Sequence, residues 1–346
     1  MADPVTSVPV PNVTVTSVPV PNVTGLPERA GVVGCGVIGA GWAARLRLRG
    51  VDVAVFDPSP SAPQLLDSVM ADAAAAWEAL GLATDTVGAL TVAGSIADAV
   101  DGVGLVQESV PERLDIKHDT LAAIDATAPT EALVASSTSG YKPTDLATSM
   151  RHPERLVVAH PFNPVYLLPL VEIVGGEQTS LGTVDRAMDS YRLLGMHPLH
   201  VRKEIDAFIA DRLLEAVWRE ALWLVNDGVA TTEEIDDAIR YGFGLRWAQM
   251  GTFETYRIAG GEGGMRHFMA QFGPALKWPW TKLMDTPELT DELIDTIADQ
   301  SDAQAAGRSI GELARERDRN LVAILRALEG VDASAGATLA ALRKLQ

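Results

Sequence analysis

The sequence has little cysteine, few aromatic residues and no long apolar run. Its single cysteine, Cys35, excludes an intrachain disulfide and a zinc site built from four cysteines. No apolar stretch reaches the roughly 20 residues that a membrane-spanning helix needs. The N-terminus lacks the basic and then apolar pattern of a secretory signal. We therefore expect a cytoplasmic protein with no membrane partner.

Positive charge is also scarce. The chain has 28 Lys and Arg residues against 46 Asp and Glu residues, a formal net charge of −18. So acidic a surface repels nucleic-acid phosphates, and nucleic acid is not expected as a partner. The same charge weakly favours cationic over polyanionic substrates. Hydrophobic residues make up 47% of the 346 residues, which is enough to bury a core in about two domains.

The first 28 residues differ from the rest of the chain. The unit VTSVPVPNVT occurs twice, at residues 5–14 and 15–24. Its prolines disfavour both a helix and a central strand. Two copies are also too few to stack into a solenoid. We predict that residues 1–28 form a flexible tail outside the fold.

The next part of the chain alternates short apolar runs with amphipathic stretches, up to Val201. This alternation is typical of a parallel or mixed sheet that has helices on both faces. The strand pattern then stops, and Ile205–Val225 predicts one long amphipathic helix. The fold class is therefore α/β, a doubly wound sheet in residues 29–204 followed by a smaller all-helical domain in residues 205–330. Residues 331–346 form a C-terminal extension.

A glycine-rich turn follows the first predicted strand and opens the first helix. Its sequence is Gly34-Cys35-Gly36-Val37-Ile38-Gly39, a G-x-G-x-x-G pattern. These glycines permit the turn, a close approach of the backbone to a pyrophosphate, and tight packing of the helix on the strand. Asp57 ends the next strand, where a carboxylate accepts from ribose hydroxyls and repels the extra phosphate of NADP. The pattern predicts a Rossmann-type NAD-binding domain, with a turn that binds no ligand as the alternative.

Two features near this turn are expected to take no part in binding. Cys35 is interpreted as a small filler without a redox role. Arg45, Arg47 and Arg49 lie on the first helix, where we expect them to face solvent.

The candidate chemical centre is His160, at the end of the apolar run LVVAH. Doubly wound sheets bind ligands at such strand ends, and imidazole exchanges protons near neutral pH. Twelve residues later, Glu172 lies inside the apolar run LVEIV. A buried carboxylate needs a partner, and an imidazole N–H would supply one. Ser139, in the SSTS cluster after an earlier strand, is a candidate for the same crevice, with ordinary turn chemistry as the alternative.

SSTSG, HPFNP and LVEIV, in this order behind the glycine-rich turn, resemble the 3-hydroxyacyl-CoA dehydrogenase family, from residue 31 to about residue 328. The resemblance implies a general base at His160, an orienting carboxylate at Glu172, and contact of Ser139 with substrate and nicotinamide. It places Glu112 and Lys117 at the cofactor, with a solvated helix start as the alternative. No metal is expected, because NAD accepts the hydride and the histidine accepts the proton. The family is typically dimeric through its helical domain.

Longer segments resemble the branch of this family that acts on L-carnitine. They include HPFNPVYLLPLVEIVGG and EIDAFIADRLLEAVWREALWLV. Asp211 stands where the acyl-CoA enzymes carry an asparagine. Ionised aspartate cannot donate a hydrogen bond to a carbonyl, but it suits a cationic substrate. The alternative for Asp211 is a charge on the helix surface.

The cation of carnitine is a trimethylammonium group, which aromatic faces can bind. Among the aromatic residues of the second domain, we predict Phe253 first and Trp247 second for this role, with core or dimer contacts as the alternative. The alternative substrates are a 3-hydroxyacyl-CoA and an acid of the L-gulonate type. A different class of function is also open, a non-catalytic structural protein that binds NAD.

Overall fold

The computed structural model describes residues 25–82, 87–272, 281 and 287–345. The predicted tail therefore lies outside the described residues, except for residues 25–28. The described residues form an eight-stranded sheet with the order β3-β2-β1-β4-β5-β6-β7-β8. The strands are β1 (Arg29–Val33), β2 (Asp52–Phe56), β3 (Leu90–Val92), β4 (Leu105–Glu108), β5 (Leu133–Ser136), β6 (Leu156–Pro161), β7 (Leu170–Val174) and β8 (His197–Val201).

The sheet is doubly wound, as predicted. Strands β1 to β6 run parallel, β7 pairs antiparallel with β6, and β8 runs parallel to β7. The chain moves outward from β1 to β3, and then crosses back to place β4 on the other side of β1. Ligands bind at such a switch point, outside the carboxyl ends of the strands. The glycine-rich turn leaves β1 at this place.

Helices cover both faces of the sheet, and in the described part of the chain every regular element after Val201 is helical. This confirms the α/β class with a helical second part. The helices are α1 (Val37–Leu48), α2 (Ala62–Leu80), α3 (Ile96–Val100), α4 (Leu114–Thr127), α5 (Pro143–Ala147), α6 (Leu181–Leu193), α7 (Ala210–Asn226), α8 (Thr232–Ala238), α9 (Gly244–Trp247), α10 (Thr252–Ala259), α11 (Gly264–Phe272), α12 (Asp291–Ala305), α13 (Ile310–Glu329) and α14 (Ser334–Lys344).

Alternate residues of β1 face two different cores, as the period of a strand requires. Val32 packs in one core with Trp42 of α1, whereas Val33 packs in the other with Leu121 of α4. The central strands β1, β4, β5 and β6 are buried on both faces, as strands of a parallel sheet covered by helices are.

The long helix predicted from Ile205 begins five residues late, at Ala210. Ala207 and Phe208 have left-handed backbone angles, with φ of 58° and 49°, so a helix cannot run through them. The buried ring of Phe208 and the hydrogen bonds of the next two amides, described below, hold this turn.

The expected solvent exposure of Arg45 is wrong. Its side chain is buried, and its guanidinium donates to the carbonyl oxygens of Val165, at 2.7 Å, and of Leu194 and Gly195. Burial, and secondarily the charge of Arg49, lowers the pKa of Arg45 to about 9. Arg45 thus joins α1 to two later segments of the domain.

The C-terminal extension forms α14, which packs back onto the first domain. Leu339 and Leu342 share a core cluster with Trp77 of α2. Arg343 donates to the carbonyl oxygens of Leu80 and Gly81 and pairs with Glu329. The extension is therefore part of the folded structure. No helix within the described ranges is long and apolar enough to span a bilayer.

Candidate active site

The glycine-rich turn has the shape that a pyrophosphate needs. Gly34 has φ of +94°, and a Cβ there would lie 2.5 Å from the carbonyl oxygen of Ser109. A Cβ on Gly39 would lie 1.9 Å from the carbonyl oxygen of Gly34. At Gly36 a Cβ would meet no protein atom within 4 Å, so this side of the turn is open to a ligand. Val37 and Ile38 follow in the first turn of α1, where no side chain caps the helix.

Asp57 is tied directly to this turn. Its Oδ2 accepts the Cys35 N–H at 2.6 Å, and its Oδ1 accepts the Ser59 N–H at 2.7 Å. The carboxylate therefore lies beside the phosphate turn, at the place where the ribose of a bound dinucleotide is recognised. Burial, with the charge of Asp57, raises the pKa of the Cys35 thiol to about 11. The thiol is protonated at neutral pH, in agreement with a structural role.

His160 and Glu172 form a buried pair at the carboxyl end of β6. The antiparallel register places them directly opposite each other, and the imidazole Nδ1 lies 3.0 Å from Glu172 Oε2. The other oxygen, Oε1, accepts the N–H groups of Ile209 and Ala210 at 2.9 and 3.0 Å. One carboxylate thus orients the imidazole and fixes the start of α7.

Asp211 lies on the opposite side of the imidazole. Its Oδ2 is 3.7 Å from His160 Nε2, and its side chain is mostly buried. Burial raises the pKa of Asp211, the imidazole partly offsets this, and Glu172 and Glu215 add to the rise. This position differs from that of a simple surface charge. The imidazole is therefore bracketed by two carboxylates, one on each nitrogen.

The hydroxyl groups of the SSTS cluster have different surroundings. The Ser137 hydroxyl is bonded to Trp42 Nε1, Gln107 Nε2 and the Ser109 hydroxyl, at 2.8–3.1 Å. Ser139 is exposed, and within the described part of the chain its hydroxyl has no hydrogen-bond partner. The hydroxyl of Ser139 is thus available to a ligand.

Glu112 holds the backbone of this turn. Its Oε1 accepts the N–H groups of Ser139 and Gly140 at 3.2 and 3.1 Å, and also the Thr138 hydroxyl. Lys117 does not occupy a solvated helix start, because its side chain is only 1% exposed. Its ammonium contacts Glu108, Glu112 and the Val110 carbonyl. Sequence reasoning missed Glu108, because its neighbours in the sequence gave no sign of its partners.

Neither of the two predicted aromatic residues makes a ring contact with the imidazole in the described part of the chain. Phe253 is 81% exposed, and Trp247 is 45% exposed with its ring centroid 4.6 Å from that of Phe243. The aromatic rings that contact His160 in the described residues are instead Phe162 and Phe208, at 5.2 and 5.7 Å between centroids. Both side chains are exposed on the described chain, so neither Phe253 nor Trp247 is a core residue.

Two models of one protein family match this chain. Residues 29–205 match the NAD binding domain of 3-hydroxyacyl-CoA dehydrogenase, and residues 208–297 match its C-terminal domain. The chain belongs to the 3-hydroxyacyl-CoA dehydrogenase family. It is thus an NAD-dependent oxidoreductase, and the predicted cofactor is confirmed.

Individual known proteins are closely similar to this chain. An L-carnitine dehydrogenase of Mesorhizobium japonicum is 60% identical over 92% of this chain and 88% of its own length. A two-activity L-carnitine dehydrogenase/betainyl-CoA thioesterase of Agrobacterium fabrum is 61% identical over 90% of this chain, which spans 63% of that protein. Among solved structures, an NAD⁺-dependent 5-formyl-3-hydroxy-2-methylpyridine 4-carboxylic acid 5-dehydrogenase is 30% identical, with a TM-score of 0.75 over 88% of this chain and 99% of its own.

Proposed function

We propose that this protein oxidises L-carnitine at C3, with NAD as the cofactor. The observation that carries the proposal is the buried His160–Glu172 pair with Asp211 on the outer nitrogen of the imidazole. This arrangement combines a base for an alcohol with a negative charge for a cation. Close relatives that are named L-carnitine dehydrogenases support the choice of substrate.

The residues of the first domain fit the cofactor. In the proposal the turn Gly34–Gly39 holds the pyrophosphate, and Asp57 accepts from the ribose hydroxyls of the adenosine. The open side of Gly36 provides the room that this requires. Bound there, NAD supplies the acceptor for the hydride that leaves C3.

His160 takes the proton of the 3-hydroxyl. Because Nδ1–H donates to Glu172, the lone pair lies on Nε2, which faces away from that carboxylate. As the hydride departs, Nε2 accepts the hydroxyl proton and the C3–O bond becomes a carbonyl. Glu172 stabilises the resulting imidazolium, and the Ser139 hydroxyl orients the alcohol. The reverse reaction returns the same proton from Nε2.

The quaternary ammonium group carries the specificity. It cannot donate a hydrogen bond, so diffuse negative charge and aromatic faces are what can bind it, each face contributing about 0.5–2 kcal/mol. We assign Asp211 to the cation side of the site, since an anion there favours a cationic substrate over an acyl thioester. Phe253 and Trp247 are assigned to its aromatic wall, because their exposed faces are available to a ligand.

The proposal includes a cytoplasmic homodimer. Helices α7 and α8 line an apolar groove of about 450 Å³, and Leu214 and Trp218 on α7 are more than half exposed. An exposed apolar surface of this kind is typical of a protein–protein interface. Light scattering should give twice the mass of the chain, and the mass of one chain would contradict the dimer.

A substrate panel tests the function. The purified protein is incubated with NAD and, separately, with L-carnitine, D-carnitine, a 3-hydroxyacyl-CoA and L-gulonate, while NADH absorbance is followed. We expect NADH to form with L-carnitine and to form far more slowly with the others. Preferential oxidation of the acyl-CoA or of gulonate would reject the assignment. Tight NADH binding without turnover of any alcohol would instead favour the non-catalytic function.

A further inference from the structure

A buried hydrogen-bond network reaches the cleft at the carboxyl ends of β4 and β5. Gln107 on β4 and Tyr191 on α6 are fully buried, and the Tyr191 hydroxyl lies 2.6 Å from Gln107 Oε1. Gln107 Nε2 lies 2.8 Å from the hydroxyl of Ser137, which follows β5. Trp42 Nε1 lies 3.1 Å from the same hydroxyl, and the Ser109 hydroxyl lies 2.9 Å from it. The network thus connects α6 in the interior to Ser109, the residue after β4.

Tyr191 determines how the Gln107 amide is oriented. Burial raises the pKa of the Tyr191 phenol, so the phenol keeps its proton at neutral pH. A buried O–H group needs an acceptor, and in the described part of the chain the Gln107 side chain is the only hydrogen-bond partner of this one. The amide must therefore turn its oxygen towards Tyr191 and its NH2 group towards Ser137.

The Ser137 hydroxyl then has only one way to share its proton. A hydroxyl accepts two hydrogen bonds and donates one. The Trp42 indole N–H is a donor only, and Gln107 presents its NH2 group, so both lone pairs of Ser137 Oγ are occupied. Ser137 must donate its own proton to Ser109 Oγ. The hydrogen bond between the two hydroxyls therefore runs from Ser137 to Ser109.

The proton of Ser109 is left for a ligand. Its oxygen accepts from Ser137, and among the described residues its hydroxyl has no other hydrogen-bond partner. Ser109 is partly exposed and lies against the glycine-rich turn, since a Cβ on Gly39 would be 3.2 Å from the Cβ of Ser109. The network thus leaves one O–H donor available at the edge of the cofactor cleft.

The order of the strands indicates which part of the cofactor lies there. Strands β2 and β4 flank β1 on opposite sides, and a dinucleotide spans the crevice between the two halves of such a sheet. Asp57, after β2, is the residue assigned to the adenosine ribose. The nicotinamide half therefore extends over β4, where Ser109 lies.

We propose that the Ser109 hydroxyl donates a hydrogen bond to an oxygen of the nicotinamide riboside of bound NAD. The direction of the network makes this hydroxyl a donor there rather than an acceptor. The inference depends on NAD as the cofactor, and not on which alcohol is oxidised.

Cofactor fragments test the proposal in the variant Ser109→Ala. The Kd for NADH is measured by fluorescence titration, and the Kd for ADP, which lacks the nicotinamide riboside, is measured by calorimetry. We expect the Kd for NADH to rise about 2–10-fold, the loss of one hydrogen bond between neutral groups, with an unchanged Kd for ADP. An unchanged Kd for NADH, or an equal rise for both ligands, would overturn the proposal.

A second variant separates the hydrogen bond from packing. Ser109→Cys keeps the shape of the side chain, but a thiol is only a weak donor. We expect the same rise in the Kd for NADH as in the alanine variant, again with no change for ADP. Wild-type affinity for NADH in the cysteine variant would show a packing contact and would contradict the proposed donor.

Asp57→Ala is the matched control for the other half of the cofactor. The adenosine ribose is common to NADH and ADP, so this variant should raise the Kd for both ligands together. If the two Ser109 variants gave this same pattern, Ser109 would act on the adenosine half or on the turn as a whole, and the proposal would fail.

Folding and substrate identity are checked separately. Ser137 keeps its bonds from Trp42 and Gln107 in both Ser109 variants, so the melting temperature should stay close to that of the wild type. A raised Kd for NADH together with a large fall in melting temperature would show a structural role instead. If the wild type binds NADH but does not oxidise L-carnitine, the proposed substrate is rejected, and the binding data still decide the role of Ser109.

Discussion

Replacing Glu172 by glutamine tests the two roles of this carboxylate, which binds the imidazole on β6 and the amides at the start of α7. Its Oε2 accepts from the His160 imidazole, and its Oε1 accepts from the amides of Ile209 and Ala210. Glutamine has only one acceptor oxygen, and its NH2 group is a donor. If that oxygen accepted from the imidazole, the NH2 group would face the two backbone amides, and both of their hydrogen bonds would be lost. The loss would cost about 3–6 kcal/mol, since hydrogen bonds to a charged group contribute about 1.5–3 kcal/mol each.

The glutamine oxygen should therefore stay on the amides, and its NH2 group should face Nδ1 of His160. The imidazole then carries its proton on Nε2, the wrong nitrogen for a base. A base in the wrong tautomer loses about 10⁴-fold in kcat, or about 5 kcal/mol of transition-state stabilisation. We expect this loss with L-carnitine and NAD, with the melting temperature nearly unchanged.

Two measurements on this variant decide the matter. Steady-state formation of NADH gives kcat, and thermal unfolding gives the stability of the fold. Glu172→Asp is the matched control, because it keeps the charge but shortens the side chain by one methylene group. The aspartate variant should retain more activity than the glutamine variant. A glutamine variant with wild-type kcat would refute the assigned role of Glu172.

Three further predictions concern separate parts of the structure. The folded state raises the pKa of Asp211, so its ionisation destabilises the fold progressively as the pH rises above the ordinary aspartate value of 3.8. Asp211→Asn should therefore raise the melting temperature at pH 7, and the increase should become smaller as the pH falls towards 4. The same variant should raise the KM for L-carnitine. An unchanged melting temperature at pH 7 would contradict the prediction. Arg343→Ala removes bonds to the end of α2 and should destabilise the fold by about 1–3 kcal/mol without changing kcat, as chemical unfolding would show. Asp57→Asn should raise kcat/KM with NADP relative to NAD, and an unchanged ratio would exclude Asp57 from cofactor selection.

Much of the first domain could be predicted because its signals are local. The glycine-rich turn needs six consecutive residues, and its strand and helix are its immediate neighbours. The distance from His160 to Glu172 in the sequence is also informative. Both lie in apolar runs, and the chain between them can turn back, so that an antiparallel pair places them opposite each other.

The parts that sequence reasoning missed depend on distant partners. Arg45 resembles a surface residue, but its acceptors are carbonyl groups of Val165, Leu194 and Gly195. Helix α7 begins late because Glu172, 37 residues before Ile209, captures its first amides. These contacts form only when the sheet brings separate segments together, so the helical periodicity of the sequence does not indicate them.

The contacts of Glu112 and Lys117 likewise could not be predicted, because they form only when separate elements of the fold come together. The sequence VPERLDIK indicated that Glu112 and Lys117 matter, but it did not reveal what they contact. Lys117 contacts Glu108 at the end of β4, and Glu112 accepts from the Ser139 N–H in the turn after β5. The contact of Glu112 and Lys117 with the cofactor stays a prediction from the family resemblance.

The most direct test of the account is a single-turnover measurement on His160→Ala. Enzyme in excess over L-carnitine is mixed with saturating NAD, and the rate of NADH formation is compared with that of the wild type. We predict a rate about 10²–10⁴ times lower, with an unchanged Kd for NADH, because only the proton acceptor has been removed. NADH formation at the wild-type rate would contradict the claim that this imidazole is the base.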